Sequence, residues 1–217
     1  MTKERLSIGR RLLRTSALLA LSLFLLGGCA GTRPSKFYVL HSLSVGGADK
    51  PLGPSSVDAA IGVGPVKIPE YLDRQEIMTR TSPSRLELAE FDRWAEPLES
   101  NVARVLADNL SFLLGADRVN LFPWPGSTRV DYQVVVDFSR FDSTPEGKAI
   151  MVAHWSILGG EKRKTLVTHK SELAETADGP GIEPMVSAQS RLLGRLSREI
   201  AASLSALAHE KSSSGKE

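Results

Sequence analysis

The chain has 217 residues, a formal net charge of +2, 41% hydrophobic residues and one cysteine, which excludes an internal disulfide. The basic excess lies in the first 28 residues, which carry five Lys or Arg and one Glu, so the rest of the chain has a net charge of −2. This balance gives no support for nucleic-acid binding, and the remaining length suits one domain with a full hydrophobic core.

The first 28 residues have the pattern of a secretory signal peptide. An apolar segment from Ala17 to Leu26 precedes the small residues Gly27 and Gly28, which mark a cleavage site. Ten apolar residues with a rise of about 1.5 Å each are too short for a hydrocarbon core of roughly 30 Å, so we expect no transmembrane helix. The basic residues come before the apolar segment: Lys3, Arg5, Arg10, Arg11 and Arg14.

Leu26-Gly27-Gly28-Cys29 resembles the lipobox of bacterial lipoproteins, whose cysteine is lipidated on sulfur and becomes the new N-terminus. A thiolate is the side chain best able to accept an alkyl group, so Cys29 is the predicted lipidation site. Acyl chains anchor a protein to a bilayer without crossing it. An aspartate after the cysteine would resemble the signal that retains lipoproteins at the inner membrane, so Ala30 favours the outer membrane, on its periplasmic face. The alternative is an ordinary secretory signal with a chance cysteine.

Apolar periodicity predicts a single α/β domain with a mixed, largely antiparallel β-sheet and two main amphipathic helices packed on it. Apolar residues recur at helical spacing from Leu98 to Leu113 and from Met185 to Leu207. We therefore divide the chain into a signal peptide, a lipidated tether, the domain and a polar tail expected to be disordered, at residues 1–28, 29–36, 37–208 and 209–217.

Alternating and β-branched segments predict the strands of this sheet. Gly62 and Gly64 should lie where another backbone comes close, and the loop at residues 44–56 should be mobile. The predicted strands cover residues 37–40, 61–63, 75–80, 85–89, 118–122, 130–141, 149–158 and 165–174, and the last three should be antiparallel neighbours.

Two histidines are the candidate metal ligands. If Leu158 pairs with Thr165 across the hairpin, His154 lies opposite His169, with Cβ atoms roughly 5 Å apart. Two imidazoles do not make a site without a third ligand, and a slip of one residue would separate them. We expect a structural pair, with a metal site as the alternative. Because the common catalytic motifs are missing from the sequence, we expect no cofactor and no enzymatic activity.

Trp124 lies between two prolines in the stiff segment Phe122-Pro123-Trp124-Pro125-Gly126. An exposed tryptophan there would suit a partner or a lipid headgroup. The alternative is a ring folded back over the edge of the sheet.

The motifs along the domain resemble the ABC-type transport auxiliary lipoproteins, and within them the PqiC-like (YmbA) branch. The resemblance covers residues 29 to about 208. It rests on F-Y-V-L after the lipobox, on I-G-V-G-P-V-K-I-P-E-Y-L-D-R-Q-E-I-M-T-R, and on R-W-A-E-P-L before the first long helix.

This resemblance implies a non-catalytic subunit beside an MCE-type (mammalian-cell-entry) transporter that moves lipid between the two membranes of a Gram-negative envelope. It implies an MCE-domain protein as partner, contact with phospholipid, and a homo-oligomeric state. Tyr71, Asp73 and Arg74 match the family turn, either as partner contacts or as structural residues. The alternatives are an outer-membrane lipoprotein chaperone or assembly factor without a transporter, and a periplasmic hydrolase, which needs a pocket with convergent titratable groups.

Overall fold

The computed structural model describes residues 33–46, 57–159 and 163–214. Cys29, the signal peptide and most of the tether lie outside the described residues, as do residues 47–56 of the predicted loop and the last three residues of the tail. From Ser35 onward the described residues belong to one compact unit. No helix in these three ranges is long and apolar enough to cross a bilayer.

The described residues form eight strands, two long helices and two short helical segments, both of which precede the first long helix. In chain order they are β1 (Lys36–Tyr38), α1 (Leu43–Gly46), β2 (Ile61–Lys67), a 3₁₀ helix (Glu70–Leu72), β3 (Glu76–Ser82), β4 (Arg85–Trp94), α2 (Leu98–Leu114), β5 (Val119–Leu121), β6 (Tyr132–Ser143), β7 (Lys148–Gly159), β8 (Lys164–Thr176) and α3 (Ile182–Ser214).

All eight strands belong to one mixed sheet with β6 at its centre. On one side, β6, β7 and β8 form the predicted antiparallel meander. On the other side, β6 pairs in parallel with β2, which pairs in parallel with β5. At its carboxyl end β6 also meets β3, through Thr79 and Ser143, and the antiparallel pair β3–β4 carries β1 as a parallel edge strand. The predicted α/β fold is confirmed.

The two long helices lie side by side and cover one face of the sheet. Helix α2 buries its apolar stripe and ends at Gly115, whose φ of 58° favours glycine. A buried hydrogen bond of 3.1 Å from Asn109 Nδ2 to Ser197 Oγ links the two helices. Asn109 Oδ1 also accepts a hydrogen bond of 2.8 Å from the Leu43 backbone, which fixes α1 against α2.

Two predicted boundaries are wrong. Residues 43–46 form α1, although the loop was expected to begin at Ser44. Helix α3 continues to Ser214, so residues 209–214 are helical and not disordered. The helix is supported there because the Tyr132 hydroxyl donates to the Leu207 carbonyl at 3.3 Å and Lys211 lies 5.9 Å from the centre of the Tyr132 ring.

Candidate functional site

Strands β6 and β7 have a face that points away from the two long helices, the far face. Side chains alternate along a strand, so the buried residues Val134, Val136 and Trp155 point toward the helices and their neighbours point away. The far face consists of Gln133, Val135, Asp137, Arg140 and Asp142 on β6, and Ile150, Val152, His154, Ser156 and Leu158 on β7.

Asp142, at the end of β6, binds three donors although its side chain is fully buried. Arg80 Nε donates to Oδ2 at 2.8 Å, Arg140 Nε donates to Oδ1 at 2.9 Å, and the Tyr71 hydroxyl donates to Oδ2 at 3.1 Å. These contacts join the 3₁₀ helix, β3 and β6. A buried carboxylate requires such partners, because an unpaired buried charge costs several kcal/mol.

One carboxylate and two guanidinium groups leave this cluster with one excess positive charge. Burial opposes the charge on Arg80, but hydrogen bonds to Asp142 and Tyr71 raise its pKa above the ordinary value. Burial and the negative charge of Asp142 raise the pKa of Tyr71, which therefore remains a hydrogen-bond donor at neutral pH. Arg80 also lies 5.4 Å from the centre of the Tyr71 ring.

An open cleft of about 470 Å³ lies beside this cluster. Both arginines line it, and so do hydroxyl side chains and one carboxylate: the lining residues are Arg80, Thr81, Ser82, Pro83, Arg140, Thr144 and Glu146. The arginine side chains are 17% and 30% exposed, respectively, so both guanidinium groups reach the cleft while they hold Asp142.

The three residues of the predicted contact turn separate into two groups. Tyr71 is half-buried and points to Asp142. Asp73 and Arg74 are exposed, and among the described residues their side chains have no hydrogen bond or ion pair. The structure thus brings Tyr71 into a buried cluster and leaves Asp73 and Arg74 available at the surface.

Trp124 is half-buried and lies over β2. A Cβ added at Gly62 would lie 2.6 Å from Trp124 Cη2, and one at Gly64 would lie 2.7 Å from Phe122 Cβ. The two glycines therefore make room for aromatic side chains, and the expectation that another backbone approaches them is wrong. Arg163 lies 5.1 Å from the centre of the Trp124 ring and also binds Gln133 Oε1.

His154 and His169 do not lie opposite each other. Leu158 pairs with Thr165 as predicted, but Ile157 pairs with Val167, so Leu166 is an extra residue in a β-bulge. The bulge shifts the register by one, which pairs His154 with Lys170 and places His169 opposite Trp155, with ring centres 5.4 Å apart. The two imidazoles are on opposite faces of the sheet, so the predicted pair is wrong.

Comparison with protein families matches residues 38–201 to the ABC-type transport auxiliary lipoprotein component. The match covers well over half of the chain. The chain belongs to this family of ABC-type transport auxiliary lipoproteins.

The fold of this auxiliary lipoprotein is similar to that of two solved proteins. A protein from Xanthomonas campestris is 16% identical with a TM-score of 0.65, and the alignment covers 82% of this chain and 99% of that one. A second, uncharacterized protein is 20% identical with a TM-score of 0.63, with coverages of 79% and 99%. At these identities the likeness shows the fold alone. Comparison with curated proteins finds no match.

Titratable groups also meet in a pocket of about 430 Å³ between the start of β2 and the end of α3 of the auxiliary lipoprotein, where Asp131 and His209 are among the lining residues. The Asp131 carboxylate accepts a hydrogen bond of 2.9 Å from the Ala60 backbone and lies 3.8 Å from Lys211 Nζ. Within the described ranges, no hydrogen bond joins His209 to Asp131 or to a serine, and no group of three metal-ligating residues is present. Among the residues that the structure describes, this pocket therefore shows no hydrogen-bonded nucleophile–base pair.

Arg80, Arg140 and Asp142 are site residues that the sequence patterns did not predict. Arg80 ends the family stretch that contains Tyr71, which was a usable signal. Asp142 gave none, because a β-bulge between Phe138 and Arg140 interrupts the alternation on β6 and hides which side of the strand it occupies.

Proposed function

We propose that this protein is an outer-membrane-anchored periplasmic lipoprotein, PqiC-like, that serves as a non-catalytic subunit of an MCE-type intermembrane lipid transport system. The observation that carries the proposal is the family match, which begins at Tyr38, shortly after Cys29. A domain of a transport auxiliary family that directly follows a lipobox is expected to act while attached to a membrane.

The tether limits how far the domain can lie from the bilayer. Residues 30–36 span at most about 25 Å when fully extended. Strand β1 begins at the end of this segment, at Lys36, so the edge of the sheet that carries β1 stays near the acyl anchor. The opposite edge strand, β8, and the far face then remain available in the periplasm for a protein partner and, in a homo-oligomer, for further copies of the chain.

Asp73 and Arg74 are the proposed docking contacts on this body. Both are exposed and neither side chain is used within the described part of the chain, whereas Tyr71 and Trp124 are held by internal contacts. Two neighbouring charges of opposite sign at a turn suit a complementary polar patch on a transporter subunit. Contact of Trp124 with a partner or lipid headgroup would use only the exposed part of its ring.

Co-purification tests the proposal. Full-length protein is extracted with detergent from envelopes, Cys29 acylation is measured by mass spectrometry, and bound proteins are identified. We expect a triacylated Cys29 and an MCE-domain protein in the eluate. The control is Cys29→Ser, which should remain at the inner membrane or be released and should lose the partner. An acylated chain that never retains an MCE-domain protein would favour the chaperone or assembly-factor alternative, and neighbouring transporter genes provide an independent check.

A second test addresses the docking contacts. Asp73→Ala together with Arg74→Ala should lower recovery of the partner by about tenfold while thermal stability stays unchanged, because neither side chain supports the fold. Asp178→Ala, which changes another exposed acidic residue, should leave recovery unchanged. Equal recovery with the double variant would move the interface to another surface.

A further inference from the structure

We propose that the cleft between Arg80 and Arg140 binds a phosphate group, as a free phosphate, a phosphate monoester or a phosphodiester. The residues of this site belong to β3, β6 and the turns that follow them.

Both arginines have N–H donors that the protein does not use. A guanidinium group has five N–H donors in a planar fork that matches phosphate geometry. Arg140 uses its Nε for Asp142, and among the described residues its terminal nitrogens have no hydrogen-bond partner. Arg80 uses its Nε for Asp142, donates from Nη1 to the Pro83 carbonyl at 3.2 Å and also forms a hydrogen bond with Tyr71. The remaining N–H groups of both arginines are therefore available to an anion.

The two arginines are also pre-organised for an anion. Asp142 is fully buried and holds both arginines from behind, so their side chains are already ordered before a ligand arrives. Binding then costs less conformational entropy than at two free surface arginines. The carboxylate neutralises only one of the two charges, so the cluster retains a positive charge that a phosphate can bind.

The rest of the cleft lining also suits phosphate oxygens. Thr81, Ser82 and Thr144 place three hydroxyl groups in the same cleft. Thr81 already donates to the Arg85 carbonyl at 3.5 Å and Thr144 to Glu146, so Ser82 is the hydroxyl without a partner among the described residues. Hydroxyl donors and guanidinium groups together are a common environment for phosphate oxygens. A cleft of about 470 Å³ also has room for a headgroup attached to the phosphate.

Glu146 is the one residue of the cleft that opposes an anion. A hydrogen bond from Thr144 lowers the pKa of its carboxyl group, so Glu146 is ionised at neutral pH. Its charge should weaken phosphate binding at low ionic strength and thereby limit affinity. Removing the Glu146 charge should therefore strengthen phosphate binding, whereas removing the charge of an arginine should weaken it.

The test is a calorimetric titration of the purified full-length protein in non-ionic detergent. One arm uses inorganic phosphate, and a second uses glycerophosphoglycerol, the acyl-free headgroup of phosphatidylglycerol. We expect Arg140→Gln to weaken binding by about tenfold or more and Glu146→Gln to tighten it by about threefold. Arg195→Gln, a change at an exposed arginine paired with Glu175, should have no effect.

The two arms distinguish the sources of the phosphate. Tighter binding of glycerophosphoglycerol assigns the site to a lipid headgroup, and tighter binding of inorganic phosphate assigns it to a small soluble anion. Binding of neither probe at about 10 mM would overturn the proposal. So would equal affinity of the wild type, Arg140→Gln and Glu146→Gln. Because the Glu146 side chain does not contact Asp142, its variant leaves the buried cluster intact and keeps the test valid if Arg140→Gln is unstable.

Discussion

The Trp124 ring occupies the space above Gly62 that any larger side chain would need. An added Cβ would lie 2.6 and 2.8 Å from two ring carbons and 2.9 Å from a methyl group of Val130. Contacts this short require the ring to move. Gly62 is thus a packing position beneath Trp124, whose ring meets the Phe122 ring edge to face at 5.5 Å.

Gly62→Ala should therefore destabilise the protein by about 1–3 kcal/mol, because the ring and Val130 must shift to admit the methyl group. Denaturant unfolding followed by tryptophan fluorescence measures this change. Gly126→Ala is the control in the same segment, since an added Cβ at Gly126 meets nothing within 4 Å. Equal stability of the two variants would contradict this packing role.

Asp142→Asn should lower the free energy of unfolding by about 3 kcal/mol, because Arg80 and Arg140 lose their counter-charge while they remain partly buried. Asp137→Asn on the same strand is the control, as Asp137 is exposed and should tolerate the change within about 0.5 kcal/mol. The measurement is urea unfolding at neutral pH. An unchanged free energy of unfolding in Asp142→Asn would show that the cluster does not contribute to stability.

The register of the β7–β8 hairpin predicts where a metal site can be introduced. Because His154 faces Lys170, Lys170→His should create a cross-strand imidazole pair that binds Ni²⁺. Thermal unfolding with about 1 mM Ni²⁺ should show a stabilisation of about 1 kcal/mol or more relative to the wild type. Adding His154→Ala to the same variant should abolish the stabilisation. Stabilisation of the wild type by Ni²⁺ would contradict the β7–β8 register that the bulge at Leu166 sets.

The three tyrosines should all ionise late in the folded protein. Burial comes first among the causes for each, and the hydrogen bond to Asp92 helps raise the pKa of Tyr38 to about 12. Above about pH 10 the tyrosines of the unfolded chain ionise while those of the folded protein still hold their protons. This difference favours the unfolded state. Stability should therefore be unaffected by these groups below that pH and fall as pH rises toward about 12.

Ultraviolet absorbance of the phenolate in native and guanidinium-unfolded samples measures this shift. Tyr38→Phe should remove the latest-ionising part of the native curve. A native titration curve that coincides with the unfolded one would contradict the raised pKa values.

Local patterns predicted the elements of the fold because each pattern depends on residues close in sequence. The stripe from Leu98 to Leu113 and the alternation of Tyr132, Val134 and Val136 identified α2 and β6 correctly. Parallel pairing of β2 with β6 joins distant segments, and nothing within either segment specifies it.

The candidate site was less predictable, because two β-bulges decide which residues meet. The bulge at Leu166 separates the histidines, and the bulge between Phe138 and Arg140 returns Phe141 to the helix side and turns Asp142 toward Arg80. A one-residue insertion in a strand has no reliable signature in an alternating sequence. Tyr71 was identified as a candidate, but its partner lies 71 residues away on β6.

Strand β1 has a mechanical consequence for a chain that is held by its N-terminus. It is three residues long, sits at the edge of the sheet and is the first element after the tether. Its ties to the body include the pairing with β4, the Tyr38–Asp92 hydrogen bond of 2.7 Å and the bond of 2.9 Å from the Ala95 backbone to the Tyr38 carbonyl. Just after the strand, the Leu40 backbone donates to Asn101 at 2.7 Å. A pull on the tether would load these few bonds first, so the edge would peel away before force reached the central strands.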